Sequence, residues 1–225
     1  MQILAISTSS NNCSVALLED NKLIKELNIE DAKTHSETLM PLIKDILDQT
    51  NCALSKINYI ACDIGHGSFT GIRIGVASIK AISQIHNIPI CPISSLEGLA
   101  HQVESPNELI VSLIDARNNQ AYCGIFDNDY SINSDFFADS LTNIIEILKK
   151  ENKSISFVGN ASILHHDLLV SYFPNSSFSK GNTLYASSIG KAAFININKG
   201  KTCTPDELVP MYLRKSQAER MAESK

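Results

Sequence analysis

The chain has 225 residues, 44% of them hydrophobic and 19% charged, with a formal net charge of −5, which is the balance of an ordinary soluble protein long enough for one large or two small domains. No run of lysines or arginines supplies the concentrated basic surface that autonomous nucleic-acid binding needs, so the chain alone is a poor candidate for gripping RNA or DNA. Met1-Gln2-Ile3-Leu4 carries no positive lead, the apolar run stops at Ser7, and no stretch approaches the roughly 18 apolar residues of a membrane span, so the expectation is a cytoplasmic protein with no membrane contact.

In chain order, alternating apolar residues predict strands over residues 2–7, 13–19 and 22–28, joined by the Ser/Asn-rich stretch 7–12 and the turn Asp20-Asn21. A helix is expected over 36–49, with Leu39, Ile43, Ile46 and Leu47 on one face, Thr34 and Glu37 offering a capping box at its start, and Pro41 kinking or shortening its first turns. A strand over 59–64 then leads through Gly65-His66-Gly67-Ser68-Phe69-Thr70-Gly71-Ile72-Arg73-Ile74-Gly75 into a helix over 72–85, stopped by Asn87 and Pro89. The order βββαβα then recurs, with strands over 109–114, 121–126 and 130–137, a helix over 141–149, a strand over 155–158 and a helix over 163–170. Gly159-Asn160 stands in the second copy where Gly65-His66 stands in the first. Two related halves follow, 1–104 and 105–225, split near Glu104-Ser105-Pro106-Asn107. A further helix over 185–195 and a proline-flanked tail over 205–214 close the chain. The six cysteines, Cys13, Cys52, Cys62, Cys91, Cys123 and Cys203, form no Cys-x-x-Cys pair and read as reduced thiols, several of them in apolar strand-like runs. The fold class is α/β, a duplicated βββαβα unit of the actin-like (ASKHA) two-lobed kind found in actin, hexokinase and Hsp70, where nucleotide binds between the halves. That step is analogy from element order, and fold alone does not give function.

The glycine segment decides little by spacing. Gly-x-Gly-x-x-x-Gly is neither a dinucleotide fingerprint nor a P-loop. It leaves open a tight turn that packs a helix on a sheet or a backbone cradle for an anion. The first hairpin places Ser7 where this fold class carries the acid that manages a metal ion, and a neutral hydroxyl is a weak magnesium ligand beside a carboxylate. The second hairpin keeps Asp115 but lacks glycine, and its Arg117 would meet a phosphate or pair with a nearby acid. ATP hydrolysis by this chain alone is therefore not expected. His35 and Leu39 break what would be a metal-binding pair one turn apart, and His165-His166-Asp167 diverge by about 100° per residue on a helix. Ser68 is not in a nucleophile elbow, since His66 and Thr70 stand where glycines belong. No catalytic residue and no metal site is expected.

The helix over 72–85 is apolar on two sides. One stripe carries Ile72, Val76 and Ile79, and another carries Ile74, Ala77, Ala81 and Ile85, while Gly75, Ala77, Ser78 and Ala81 are small enough for a second helix to approach. Either the neighbouring helix over 36–49 satisfies the second side internally, or the pair forms a subunit interface with an apolar centre and a polar rim. The interface set expected on the second alternative is Leu39, Ile43, Ile46, Ile72, Gly75, Val76, Ser78, Ile79 and Ile82.

Several stretches together resemble the bacterial tRNA threonylcarbamoyladenosine biosynthesis protein TsaB (YeaZ) family. They are Ile3-Leu4-Ala5-Ile6-Ser7-Thr8-Ser9 with Cys13-Ser14-Val15-Ala16-Leu17, His35-Ser36-Glu37-Thr38-Leu39-Met40-Pro41-Leu42-Ile43, the glycine segment 65–75, Asp115-Ala116-Arg117 with Tyr122, and Pro210-Met211-Tyr212-Leu213-Arg214. Gly65, Gly67, Ser68, Thr70, Gly71 and Arg73 carry the most specific motif. The family usually has Asp where Ser7 stands and Pro where His66 stands. The resemblance implies a two-lobed actin-like fold and a non-catalytic subunit that pairs with a catalytic paralogue, TsaD, through its N-terminal helices in a four-helix bundle. With the ATPase TsaE, that complex transfers threonylcarbamoyl from threonylcarbamoyl-AMP to N6 of the adenosine following the anticodon. It implies no cofactor in this chain, with ATP or ADP and metal on the partner subunits, tRNA contact only through the complex, and homodimers through the same surface when the partner is missing. The competing expectation is an ATPase or phosphotransferase of the same fold, leaning on the glycine turn and Asp115. A metalloprotease reading rests on His35 and Glu37 alone. Arg214, Lys215 and Arg220, interleaved with Glu219 and Glu223, read as a solvated tail.

Overall fold

The computed structural model describes residues 1–30 and 34–213. The first half runs β1 (Gln2–Ser7), β2 (Cys13–Glu19), β3 (Lys22–Ile29), α1 (His35–Thr50), β4 (Tyr59–Asp63), α2 (Phe69–His86), β5 (Ile90–Ile93) and α3 (Ser95–Ala100). The second runs β6 (Leu109–Asp115), β7 (Gln120–Asp127), β8 (Phe137–Ser140), α4 (Leu141–Lys149), β9 (Ile155–Val158), α5 (Asn160–Leu164), α6 (His166–Tyr172), β10 (Ser177–Phe178) and α7 (Ala186–Asn198).

The two sheets have one topology. The first is ordered β3-β2-β1-β4-β5 and the second β8-β7-β6-β9-β10. In each, the first three strands form an antiparallel meander and the last two run parallel to the first strand, as in Ile6↔Cys62 for β1/β4 and Val111↔Phe157 for β6/β9. The duplication read from element order is present, and each copy is longer than expected by a final edge strand. β5 escaped the periodicity because it is four residues long and contains Pro92, which an edge strand tolerates; β10 has only two residues.

Other local expectations need correction. Residues 130–137 are not a strand. Tyr130 has φ +66°, Tyr130 N–H donates to Asp127 O at 2.9 Å, and Asp129 accepts from Ser131, so the chain turns there; it touches β7 in the single Phe126–Ile132 bridge, and the continuous ladder begins at Phe137. The helix expected over 163–170 is two, α5 and α6, which meet at His165 with φ −114° and ψ 24°. Pro41 does not shorten α1, which begins six residues before it. The capping box is not made: the Thr34 hydroxyl donates to the Glu37 carboxylate at 2.9 Å instead of accepting from the helix backbone.

Alternation along β1 explains the layers. Leu4 and Ile6 point to one side, where they join Val15, Leu17 and the buried faces of α1 and α2. Ile3 and Ala5 point to the other, where they join Ala16, Leu18, α3 and α7. A strand buried on both faces reads as a continuous apolar run, which is what 3–6 shows. The second-side cluster also contains Ile110, Tyr122 and Phe126 of the second sheet, so one core spans both halves. α7 belongs to the second half in sequence but lies on the first sheet. Its Gly190 packs on the Leu18 side chain, which a Cβ at that position would have to displace. The boundary near 104 thus separates two sheets, each with an outer cluster of its own, but it cuts through the inner cluster that both share.

After α7 the chain returns to the first half. Cys203 and Ile90 exchange backbone hydrogen bonds of 2.8 and 3.1 Å, Leu208 is buried, and Met211 N–H donates to Ile64 O at 2.8 Å. The expected tail over 205–214 is therefore a strap as far as Leu213. Arg214, Lys215 and Arg220 lie outside the described residues.

Ile189 of α7 is fully buried and packs on Gly98 of α3. Ile189→Ala is expected to cost about 2–5 kcal/mol in urea unfolding and to leave one cooperative transition, because the shared core couples the halves. Two resolved transitions would contradict that coupling.

Candidate functional site

The glycine loop is built around a buried carboxylate. Asp63, the last residue of β4, is 1% exposed and accepts from Ser7 Oγ at 2.7 Å, Ser9 Oγ at 2.6 Å, Ser95 Oγ at 2.6 Å and Gly65 N–H at 3.1 Å. Burial pushes its pKa up, and the three hydroxyls and the amide pull it back. Four donors from the β1–β2 hairpin, the glycine loop and the start of α3 are thereby tied to one group. Ser7 does not leave an empty acidic position: the strand paired with β1 delivers a carboxylate beside it.

The loop and the hairpin fill each other. Ser68 N–H donates to Ser9 O at 2.6 Å, and Thr8 Oγ1 donates to Gly71 O at 2.8 Å. Gly67, at φ +156°, faces Ser9 O, and Gly71 faces Thr8 O, so closely that a Cβ on either would strike that carbonyl. Gly75, one turn on, abuts the Thr8 side chain. These glycines permit close approach of backbone to backbone, and the alternatives left open by spacing are decided for the packing turn. Ser68 caps α2 by accepting from Gly71 N–H at 3.2 Å, while Thr70 and Arg73 face outward. Gly159, at φ +101°, repeats the device in the second half against Leu113 O.

The other polar candidates are engaged locally. His35 Nε2 lies 2.9 Å from Ser10 O. The Asp115 carboxylate accepts from Arg117 N–H at 2.9 Å, and Arg117, Asn118 and Asn119 all take positive φ around that turn. His166 sits against Phe178 and Asp167. Among the described residues no three His, Cys, Asp or Glu side chains gather as a metal ion would require. Burial pushes the Cys13 thiol up to about 11 and Cys91 up to about 12, as expected of unreactive interior thiols.

His66 closes the space between the lobes. It is 3% exposed, stacks on Tyr122 at 5.3 Å, meets Phe136 edge-on at 6.0 Å, and has Nδ1 3.4 Å from Ser94 Oγ. The Gly65–His66 peptide is cis. Burial drives the imidazole pKa down to about 4.

α2 has one face for the fold and one for solvent. Ile72, Val76 and Ile79, with Gly75 and Ile82, are buried against the sheet, as are Leu39, Ile43 and Ile46 of α1. This corrects the expected interface set: eight of those nine residues are interior to the protomer, and only Ser78 is partly exposed. The bulkier aliphatics pack on the sheet because it presents the larger apolar surface, so a charge at Ile79 would test the core. What remains outside is the i, i+4 row Arg73, Ala77, Ala81 and Ile85, the last 75% exposed, with half-buried Ile74 beside it. Met40 and Pro41 are the exposed apolar residues of neighbouring α1.

The family profile of TsaD, tRNA N6-adenosine threonylcarbamoyltransferase, matches residues 28–219. The tRNA threonylcarbamoyladenosine biosynthesis protein TsaB of Bacillus subtilis is 31% identical over 97% of this chain and 96% of its own length. The chain belongs to the TsaB (YeaZ) family. In structure it is similar to an uncharacterized Pseudomonas aeruginosa protein with similarity to peptidase YeaZ, with TM-score 0.81 and 23% identity over 95% of this chain and 99% of that one. The ROK hexokinase of Thermus thermophilus, with TM-score 0.56 and 7% identity over 89% and 100% of the two chains, shares the actin-like architecture alone. Sequence reasoning on this TsaB-family chain missed Asp63, which was absorbed into an apolar strand. The signal was a lone charge at the end of a run with no other polar group. It described the exposed stripe of α2 but committed to the buried one.

Below its unfolded pKa of about 6.5 the unfolded chain takes up a proton that buried His66 refuses until about pH 4, so stability falls as pH drops through that window. The loss is up to about 3 kcal/mol for this residue. His66→Phe, which keeps a ring against Tyr122, is expected to reduce the dependence of melting temperature on pH between 6.5 and 4 without abolishing it, because burial drives the His101 imidazole down to about 4 as well.

Proposed function

We propose that the chain is a non-catalytic subunit of the machinery that forms threonylcarbamoyladenosine in tRNA, and that it docks a TsaD-type transferase on its α1/α2 face. The similarity to the Bacillus subtilis protein over nearly the whole of both chains carries the reading. Three further features support it. The matching profile is that of the transferase itself, as expected of a duplicated relative that keeps the fold. The hairpin and glycine loop, where this fold class handles phosphates, are packed on each other through Ser68–Ser9 and Thr8–Gly71. The exposed row ending in Ile85 has an apolar centre with Arg73, Lys80 and Gln84 around it, the composition of an interface.

On this reading the chain carries no cofactor of its own. ATP or ADP and the metal belong to the TsaD-type partner and a TsaE-type ATPase, and tRNA is reached only through the complex, in the cytoplasm. Among the described residues no helix is long and apolar enough to cross a membrane. Alone, the chain pairs with itself through the same face. The reading as an independent ATPase draws no support from Asp115, whose carboxylate holds its own turn.

The reading predicts that labelled threonine enters cognate tRNA in a mixture of purified partner enzymes only when this chain is added. Equal incorporation without it would refute the assignment. Ile85→Asp is expected to leave a folded monomer by circular dichroism while weakening association with the transferase by roughly thirty-fold or more. Full-affinity co-elution of that variant would place the interface elsewhere.

A further inference from the structure

The strap that ends the described chain lands on the first turns of α2. The Met211 carbonyl lies 2.9 Å from where a Cβ on Gly65 would stand, so the strap seats directly on the loop backbone. One residue on, the Tyr212 ring stacks on Phe69 with centroids 4.8 Å apart and planes at 11°. Arg73 Nε donates to the Tyr212 hydroxyl at 2.9 Å, across 139 positions of sequence, and its guanidinium carbon lies 5.6 Å from the ring centre. Phe69 opens α2, and Arg73 is the first member of its exposed row.

We propose that the C-terminal strap, acting through Tyr212, is an outer clamp that steadies the glycine loop and the first two turns of α2 on the side the Asp63 network does not reach, and so tunes the geometry of the helix row offered to a partner; the partner-facing half of this rests on the heterodimer reading above. Three features give the contact this role. The first turn of a helix has backbone donors without intrahelical acceptors and is the first part to fray. Gly65 and Gly67 hold positive φ and bring no side chains of their own to fix the loop. The strap is anchored upstream by the Cys203–Ile90 pair and by buried Leu208, so Tyr212, 41% exposed, clamps a surface layer whose release leaves the core in place. Tyr212 is a positioning residue: it acts on α2 through Phe69 and Arg73.

Tyr212→Ala and Tyr212→Phe in the full chain test this, with hydrogen exchange read over residues 65–75 and over 109–127. Loss of one aromatic pair and one hydrogen bond is expected to speed exchange over 65–75 about tenfold in Tyr212→Ala, with 109–127 unchanged. Tyr212→Phe keeps the stack and loses the hydroxyl, and an increase of about threefold is expected. Affinity for the purified transferase is expected to fall in the same order. Unchanged exchange over 65–75 in Tyr212→Ala overturns the proposal whatever the partner does. Faster exchange with undiminished affinity, while Ile85→Asp still weakens binding as expected, overturns the link from strap to partner face. Should Ile85→Asp also bind normally, it is the heterodimer reading that fails, and the exchange result alone decides the strap.

Discussion

The arrangement around the glycine loop depends on one buried carboxylate. A charge removed from water is costly unless hydrogen bonds replace its hydration. Asp63 meets that requirement with hydroxyls from Ser7, Ser9 and Ser95 and the amide of Gly65. The donors come from three separate segments: the end of β1 with its hairpin, the glycine loop, and the six-residue helix α3. The carboxylate must be satisfied from all of them at once, so hairpin, loop and α3 are placed as a unit. The serines that weaken any case for metal binding are the ones that make this anion tolerable in the interior.

From that node the placement passes to α2. Ser68 caps the helix, Gly71 and Gly75 let it run against the hairpin, and its aliphatic stripe is pressed to the sheet. A helix of period 3.6 cannot turn both of its apolar stripes to one surface. Committing Ile72, Val76 and Ile79 to the core therefore exposes Ala77, Ala81 and Ile85. The outward row is a consequence of the inward one, and its small residues leave room for a neighbouring helix at close range.

How far this was legible in the sequence varied with the kind of signal. Long periodic elements were clear: the first three strands, α1, α2, α4 and β9 lie within a few residues of their expected places, and the repeat of β1 to α2 in the second half was visible from order alone. Elements held by tertiary pairing were not. β5 owes its existence to β4 on one side and Cys203 on the other, and β10 to β9, so neither has a pattern of its own. At the candidate site the motif glycines were legible as a turn, but spacing does not say what a turn packs against. The choice between the stripes of α2 failed for a related reason: periodicity shows that two faces are apolar, and only the sheet decides which is inside. Contacts made at long range, Asp63 with Ser95 or Arg73 with Tyr212, leave no local trace.

The two halves use the same device to different ends. In each, a positive-φ glycine lets the strand-to-helix turn press against the end of the central strand or the hairpin beyond it, Gly67 on Ser9 O and Gly159 on Leu113 O. In the first half the turn also sends His66 across to Tyr122 and Phe136, and the interior that follows is shared by both sheets. An imidazole buried between aromatic rings joins the two lobes by close packing. The apolar surface left outside lies on the helix that follows the turn, at Ala77, Ala81 and Ile85. The proposed docking role therefore depends on the outer row of α2 and on what holds that row in place, the hairpin and glycine loop on its inner side and the strap on its outer one.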